Sequence, residues 1–239
     1  MVDRPIIFSA PMIRALLAGR KTQTRRLCKP MNKWVHQEGR EVRLHQGQWC
    51  HFLQDAELPI ERLRLPWQVG DRLWVRETWA VGNIYDGIPP RNINPGGKPN
   101  WCGIRYAATD ERLGIKDRSP IHMPRWASRL TLIVTDVRVE RLQDISEEDA
   151  RAEGCEHDLW DHALAVRDYS APDKWLCGWG TLEGRPGYVP EERIFRESFR
   201  SLWESINGAK SWADNPWICA SSFRVIQQNI DAIDIGRAA

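Results

Sequence analysis

The hydrophobic pattern divides the chain into short periodic stretches separated by long polar ones. Pro5-Ile6-Ile7-Phe8 is a compact apolar run of strand type. Met12, Ile13, Leu16 and Leu17 then recur at helical spacing, which predicts a helix over 10–18. Ser9 is placed to cap it, Pro11 suits its first turn and Gly19 suits its C′ position. A turn at Val69–Arg72 leads into a strand over Leu73–Thr78, and Gly103–Ala108 reads as a shorter one. The clearest alternation is Leu130, Leu132, Val134, Val137 and Val139, a strand within 129–142. Ser146-Glu147-Glu148-Asp149 resembles a capping box and opens a short helix that Gly154 ends. Phe195, Phe199, Leu202 and Ile206 share one face of a helix over 191–206, and 216–226 reads as a closing strand.

Between these elements the pattern is weak. Residues 28–60, 82–125 and 155–189 read as insertions, the first as a loop or hairpin, the second opening on a proline-rich loop. The order of elements predicts an α+β fold, a small β-barrel flanked by short helices, with large loop insertions. One domain is expected over 1–227, with 228–239 as a flexible tail. No G-x-G-x-x-G, Walker loop, H-E-x-x-H or G-x-S-x-G is present, so the mechanisms those motifs carry lose support.

Composition adds partners to consider. The 239 residues carry a net charge of only +2, but residues 1–50 hold ten Lys/Arg against three Asp/Glu, and 140–161 hold nine Asp/Glu against two Arg. The basic block suits phosphates or nucleic acid, or simply faces solvent or the acidic block. Thirteen tryptophans supply core area and faces on which a nucleobase could stack. Six cysteines without a C-x-x-C pair suit reduced thiols. Cys155, His157 and His162 make a poor metal set without a second ligand pair, so no metal or cofactor is expected. No apolar run reaches membrane-spanning length and the N-terminus lacks signal-peptide features, so a cytoplasmic location is expected.

The densest chemistry lies at Gly19-Arg20-Lys21-Thr22-Gln23-Thr24-Arg25-Arg26. A threonine hydroxyl becomes a nucleophile when a base takes its proton, and a neutral lysine is such a base. Lysine ionises near about 10.4, so burial or neighbouring cations must lower it, while a nearby glutamate opposes them. Lys21 and Thr24 are three apart, so on a regular strand they point to opposite faces. Their convergence requires a turn, bulge or irregular loop. The alternative is a solvated basic face with ordinary strand threonines.

Gly19-x-Lys21-x-x-x-x-Arg26 resembles the G-x-K-x-x-x-x-R signature of the ASCH family, whose fold is similar to the PUA β-barrel of RNA-binding modules. Gly70-Asp71-Arg72-Leu73-Trp74-Val75 resembles that family's G-D-x-L-x-V strand, and Leu142–Gly154 its short helix after a central strand. The chain looks most like the larger, Trp-rich relatives common in phages and prophages. Some compact bacterial members remove the acetyl group of N4-acetylcytidine. By position, the resemblance implies Thr24 as nucleophile, Lys21 as its base and Glu153 as acid/base or positioning group. It implies Arg26, with Arg25 and Gly19, at the ligand. Glu77 is a rival carboxylate, with a structural partner in Arg72 or Arg76 as its alternative role. The implied activity is amide hydrolysis on an N-acylated nucleobase or nucleoside. The alternatives are a non-catalytic RNA or modified-base-binding module, and a phage accessory protein that keeps only the fold.

Overall fold

The computed structural model describes residues 1–28, 40–93, 103–111, 114–160, 163–178 and 188–233. Along the chain run β1 (Asp3–Ile7), α1 (Ala10–Leu17), β2 (Gln23–Leu27), β3 (Arg40–His45), β4 (Gln48–Leu53) and β5 (Glu61–Arg62). Then come β6 (Arg72–Arg76), β7 (Trp79–Ala80), β8 (Arg105–Tyr106), β9 (Thr131–Arg141) and α2 (Glu147–Ala152). β10 (His157–Trp160), β11 (Ala163–Asp168), β12 (Lys174–Cys177), α3 (Ile194–Asn207) and β13 (Trp217–Ile226) complete the order. The architecture is mixed α+β, mostly sheet with few short helices, and the strands form no closed barrel among the described residues.

The chain divides into two compact units. The first comprises 1–19, 67–135 and 223–239. In it β1 pairs in parallel with β6, which pairs antiparallel with the start of β9. Trp79, Val81, Ile93, Met123 and Ala127 form a core cluster there. Asn229 donates to the carbonyls of Arg125, Trp126 and Ser128, and Ile230 is buried, so the last described segment is packed. Residues 234–239 of the expected tail lie outside the described residues.

The second unit comprises 20–66 and 136–222. β13 pairs antiparallel with β2, and β3, β4 and β5 form an antiparallel sheet, so the hairpin reading of 28–60 holds over 40–53. The stretch 155–178, expected to be an insertion, holds the antiparallel sheet β10-β11-β12. β10 is largely exposed, so burial imposes no apolar alternation on its sequence. α3 lays Ile194, Phe195, Phe199 and Trp203 into a cluster with Leu142, Ile145, Ala150, Cys155, Val166, Ile218 and Ala220. This cluster packs α2 and α3 with Ile218 and Ala220 of β13 and with Val166 of β11.

Candidate active site

Strand alternation sorts the basic motif. β2 runs in regular antiparallel register with β13, from Gln23↔Ser222 to Leu27↔Ile218. Gln23 and Arg25 therefore share a face with Ile218, Ala220 and Ser222, the face that carries the helices. Gln23 Nε2 donates to Ser222 Oγ at 3.2 Å, and the Arg25 guanidinium lies 5.8 Å from the Phe199 ring centre, as that face requires. Thr24 and Arg26 take the opposite face with Cys219 and Ser221. On that side Cys28, Val139 and Cys219 pack with Val42, Trp49, Leu63, Leu65, Val137 and Trp217.

α2 brings the carboxylates. Ser146 Oγ accepts from the Asp149 backbone N–H at 3.1 Å, the cap expected of the Ser-x-x-Asp spacing. The helix ends at Glu153, and Gly154 at φ +87° turns the chain away as only glycine does without strain. The end of a helix leaves carbonyls without intrahelical donors. Here the motif supplies them. The Thr22 N–H donates to Ala152 O at 2.9 Å, and Lys21 Nζ donates to Glu153 O at 2.9 Å. Arg20 Nη1 donates to Gly154 O and Cys155 O at 3.2 and 3.4 Å. Arg20 and Lys21 thus serve the negative end of α2.

The Lys21 side chain continues into an ion pair. Its Nζ donates to Glu153 Oε2 at 2.8 Å, with Lys21 0% and Glu153 4% exposed. Arg25 takes the other oxygen, Nη1 to Glu153 Oε1 at 3.1 Å, and also donates to Gln23 Oε1 at 2.8 Å. Its Nη2 donates to Glu140 Oε1 at 2.9 Å and Asp149 Oδ2 at 3.0 Å. Arg138 Nη2 donates to that same Asp149 oxygen at 2.8 Å, and Gln23 Nε2 to the other at 2.8 Å.

Burial dominates the electrostatics of Lys21. Loss of hydration pushes its ammonium below the ordinary lysine range, and the Arg26 charge adds to that; the Glu153 carboxylate opposes both without overcoming them. Arg26, half-buried, is likewise lowered by burial against the pull of Glu153. Burial pushes Asp149 up, but hydrogen bonds from Gln23 and Arg138 and the charges of Arg25 and Arg138 hold it below the usual aspartate value. The neighbouring Cys155 thiol is pushed up to about 11 by burial, so it stays protonated near neutral pH.

No family model, no curated protein and no solved structure matches the chain.

The geometry joins Lys21, Arg25 and Glu153 in one buried cluster. It separates Thr24, on the other face of β2, from Gln23 and Arg25. Lys21 precedes β2, while Thr24 lies inside its regular part. Thr24 is itself buried. Gly19 is the exposed C′ residue of α1, at φ +71°, and belongs to the first unit. Glu77 also belongs to the first unit. Its partner is Arg129, at 2.8 and 2.9 Å, in place of the arginines beside it in sequence; burial still holds its carboxyl above the usual range. Sequence reading missed Gln23, Arg138, Glu140 and Asp149 as site residues. Arg138 and Glu140 do alternate with Val137 and Val139 on β9, and Asp149 was visible as a capping residue. Among the described residues no three His, Cys, Asp or Glu side chains are grouped to hold a metal, and no helix is long and apolar enough to cross a membrane. His162 lies outside the described residues.

Proposed function

We propose that the protein is an amidohydrolase acting on an N-acylated nucleobase or nucleoside such as N4-acetylcytidine, with Lys21 and Glu153 as its proton-handling pair. The observation that carries this reading is the 2.8 Å bond between two enclosed side chains, one of them a lysine whose ionisation burial lowers from its ordinary value. Burial favours the free amine, which can accept a proton from a nucleophile, and a carboxylate in contact with it can pass that proton to the leaving amine. The PUA-like ASCH fold that the signature resembles belongs to the same proposal.

A binding module that attracts nucleic acid through the basic motif has less support. Lys21 is paired with Glu153, Arg25 with three carboxylates, and Arg20 with main-chain carbonyls. Cations engaged in this way add little to an open phosphate-binding surface.

Two routes use the pair. In one, Lys21 takes the proton of Thr24, whose oxygen attacks the acyl carbon; the amine leaves with a proton and water then hydrolyses the acyl ester. In the other, Lys21 activates water directly, a route favoured by the position of Thr24 on the far face of β2. Purified protein incubated with N4-acetylcytidine should release acetate and cytidine. Lys21→Met and Glu153→Gln should each lower the rate by about 10²-fold or more. Loss of activity in Thr24→Ala selects the first route, and retention selects the second. No acetate from the wild type, or equal release by Lys21→Met, rejects the proposal.

A further inference from the structure

Arg25 is buried and engaged on both Nη atoms. Its guanidinium reaches acceptors from three elements: Gln23 on its own strand, Glu140 on β9, and Asp149 and Glu153 at the two ends of α2. Both Nη atoms are already taken by these four acceptors, so the place suggested for it at the ligand does not suit it.

We infer that Arg25 is a positioning residue that aligns the Glu153 carboxylate on Lys21. This inference rests on the amidohydrolase reading for its kinetic consequence, but its geometry stands without it. Glu153 divides its two oxygens, Oε1 to Arg25 at 3.1 Å and Oε2 to Lys21 at 2.8 Å. Holding Oε1 fixes the rotation of the carboxylate and leaves Oε2 facing Nζ. Arg25 can hold it because Arg25 is itself held: Glu140 and Asp149 accept from Nη2, and Gln23 accepts from Nη1 beside Glu153. Asp149 is in turn gripped by Gln23 and Arg138. The planar fork of a guanidinium satisfies acceptors in several fixed directions at once, and an ammonium does not. Charge alone at position 25 is therefore insufficient.

The test is Arg25→Lys, which keeps the charge and removes the fork, with Arg25→Ala plus added guanidinium ion as the second variant. Folding is followed by circular dichroism and thermal unfolding. With N4-acetylcytidine as substrate, Arg25→Lys should lose about 10- to 100-fold in kcat with little change in KM, because a misplacement of about 1 Å costs on that order. Guanidinium should restore part of the kcat of Arg25→Ala. Independently of substrate, the Lys21 Nζ resonance, identified by its absence in Lys21→Met, should shift or broaden in Arg25→Lys. A raised KM at unchanged kcat assigns Arg25 to ligand binding and overturns the inference. A folded Arg25→Lys with wild-type kinetics and an unmoved Lys21 resonance also overturns it. If the wild type releases no acetate, the amidohydrolase reading falls and the Lys21 resonance alone decides the role of Arg25.

Discussion

Lys21 Nζ donates to both the side chain and the main chain of Glu153, to Oε2 at 2.8 Å and to the carbonyl at 2.9 Å. One amino group thus closes the C-terminal end of α2 and binds the carboxylate there. The structural role and the proposed chemical role fall on the same atom, so stability and activity must be measured separately in every variant.

Glu153→Ala removes the carboxylate shared by Lys21 and Arg25. Breaking a buried pair from one side costs about 3–5 kcal/mol, because the remaining charge stays enclosed. Lys21→Met should cost less, since Glu153 keeps Arg25. Urea unfolding of both variants checks the order. A Lys21→Met variant less stable than Glu153→Ala would contradict this division of charge.

Asp149 should make part of the acid limb of stability. Its folded ionisation lies below the ordinary aspartate value of 3.8, so the unfolded chain binds the proton more readily. The stability it contributes is complete above the unfolded value and is lost as pH falls through the folded one. Asp149→Asn should flatten the stability profile in that acid window and lower stability near neutrality. An unchanged slope below pH 3.8 would show that Asp149 is not ionised in the network.

Gly154→Ala tests the turn after Glu153. At φ +87° an alanine is strained, and a cost of about 1–2 kcal/mol is expected. Thermal unfolding reads it, and a neutral substitution would mean the turn relaxes freely.

Glu77→Gln separates the rival carboxylate. Glu77 is bound to Arg129 in the first unit, so its loss should lower stability and leave acetate release within about two-fold of wild type. A drop comparable to that of Glu153→Gln would reassign the acid.

Local signals in the sequence were strong where one residue does one job. Ser146 and Asp149 mark the start of α2, Gly154 its end, and Leu132 and Val139 the burial of β9. The cations after Gly19 were legible as a cluster but not as partners of α2, because the end they serve lies more than a hundred residues away along the chain. Arg138 and Glu140 alternate with Val137 and Val139, and the helix that covers their side is a tertiary fact that strand alternation does not carry. β10–β12 escaped notice because Ala163 and Ala165 are small and Leu159 and Trp160 are exposed, so size and burial do not follow each other there. Thr24 shows the limit of spacing arguments. Three residues from Lys21 is close in sequence, yet the onset of a regular strand between them decides which way each side chain goes.

The most direct measurement is the titration of the Lys21 ε-amine by ¹⁵N NMR in the folded protein. The account predicts a midpoint below the ordinary lysine value of 10.5, because burial outweighs the attraction of Glu153. A midpoint at or above 10.5 would make Lys21 a permanent cation, a structural partner of Glu153, and would contradict its role as a base.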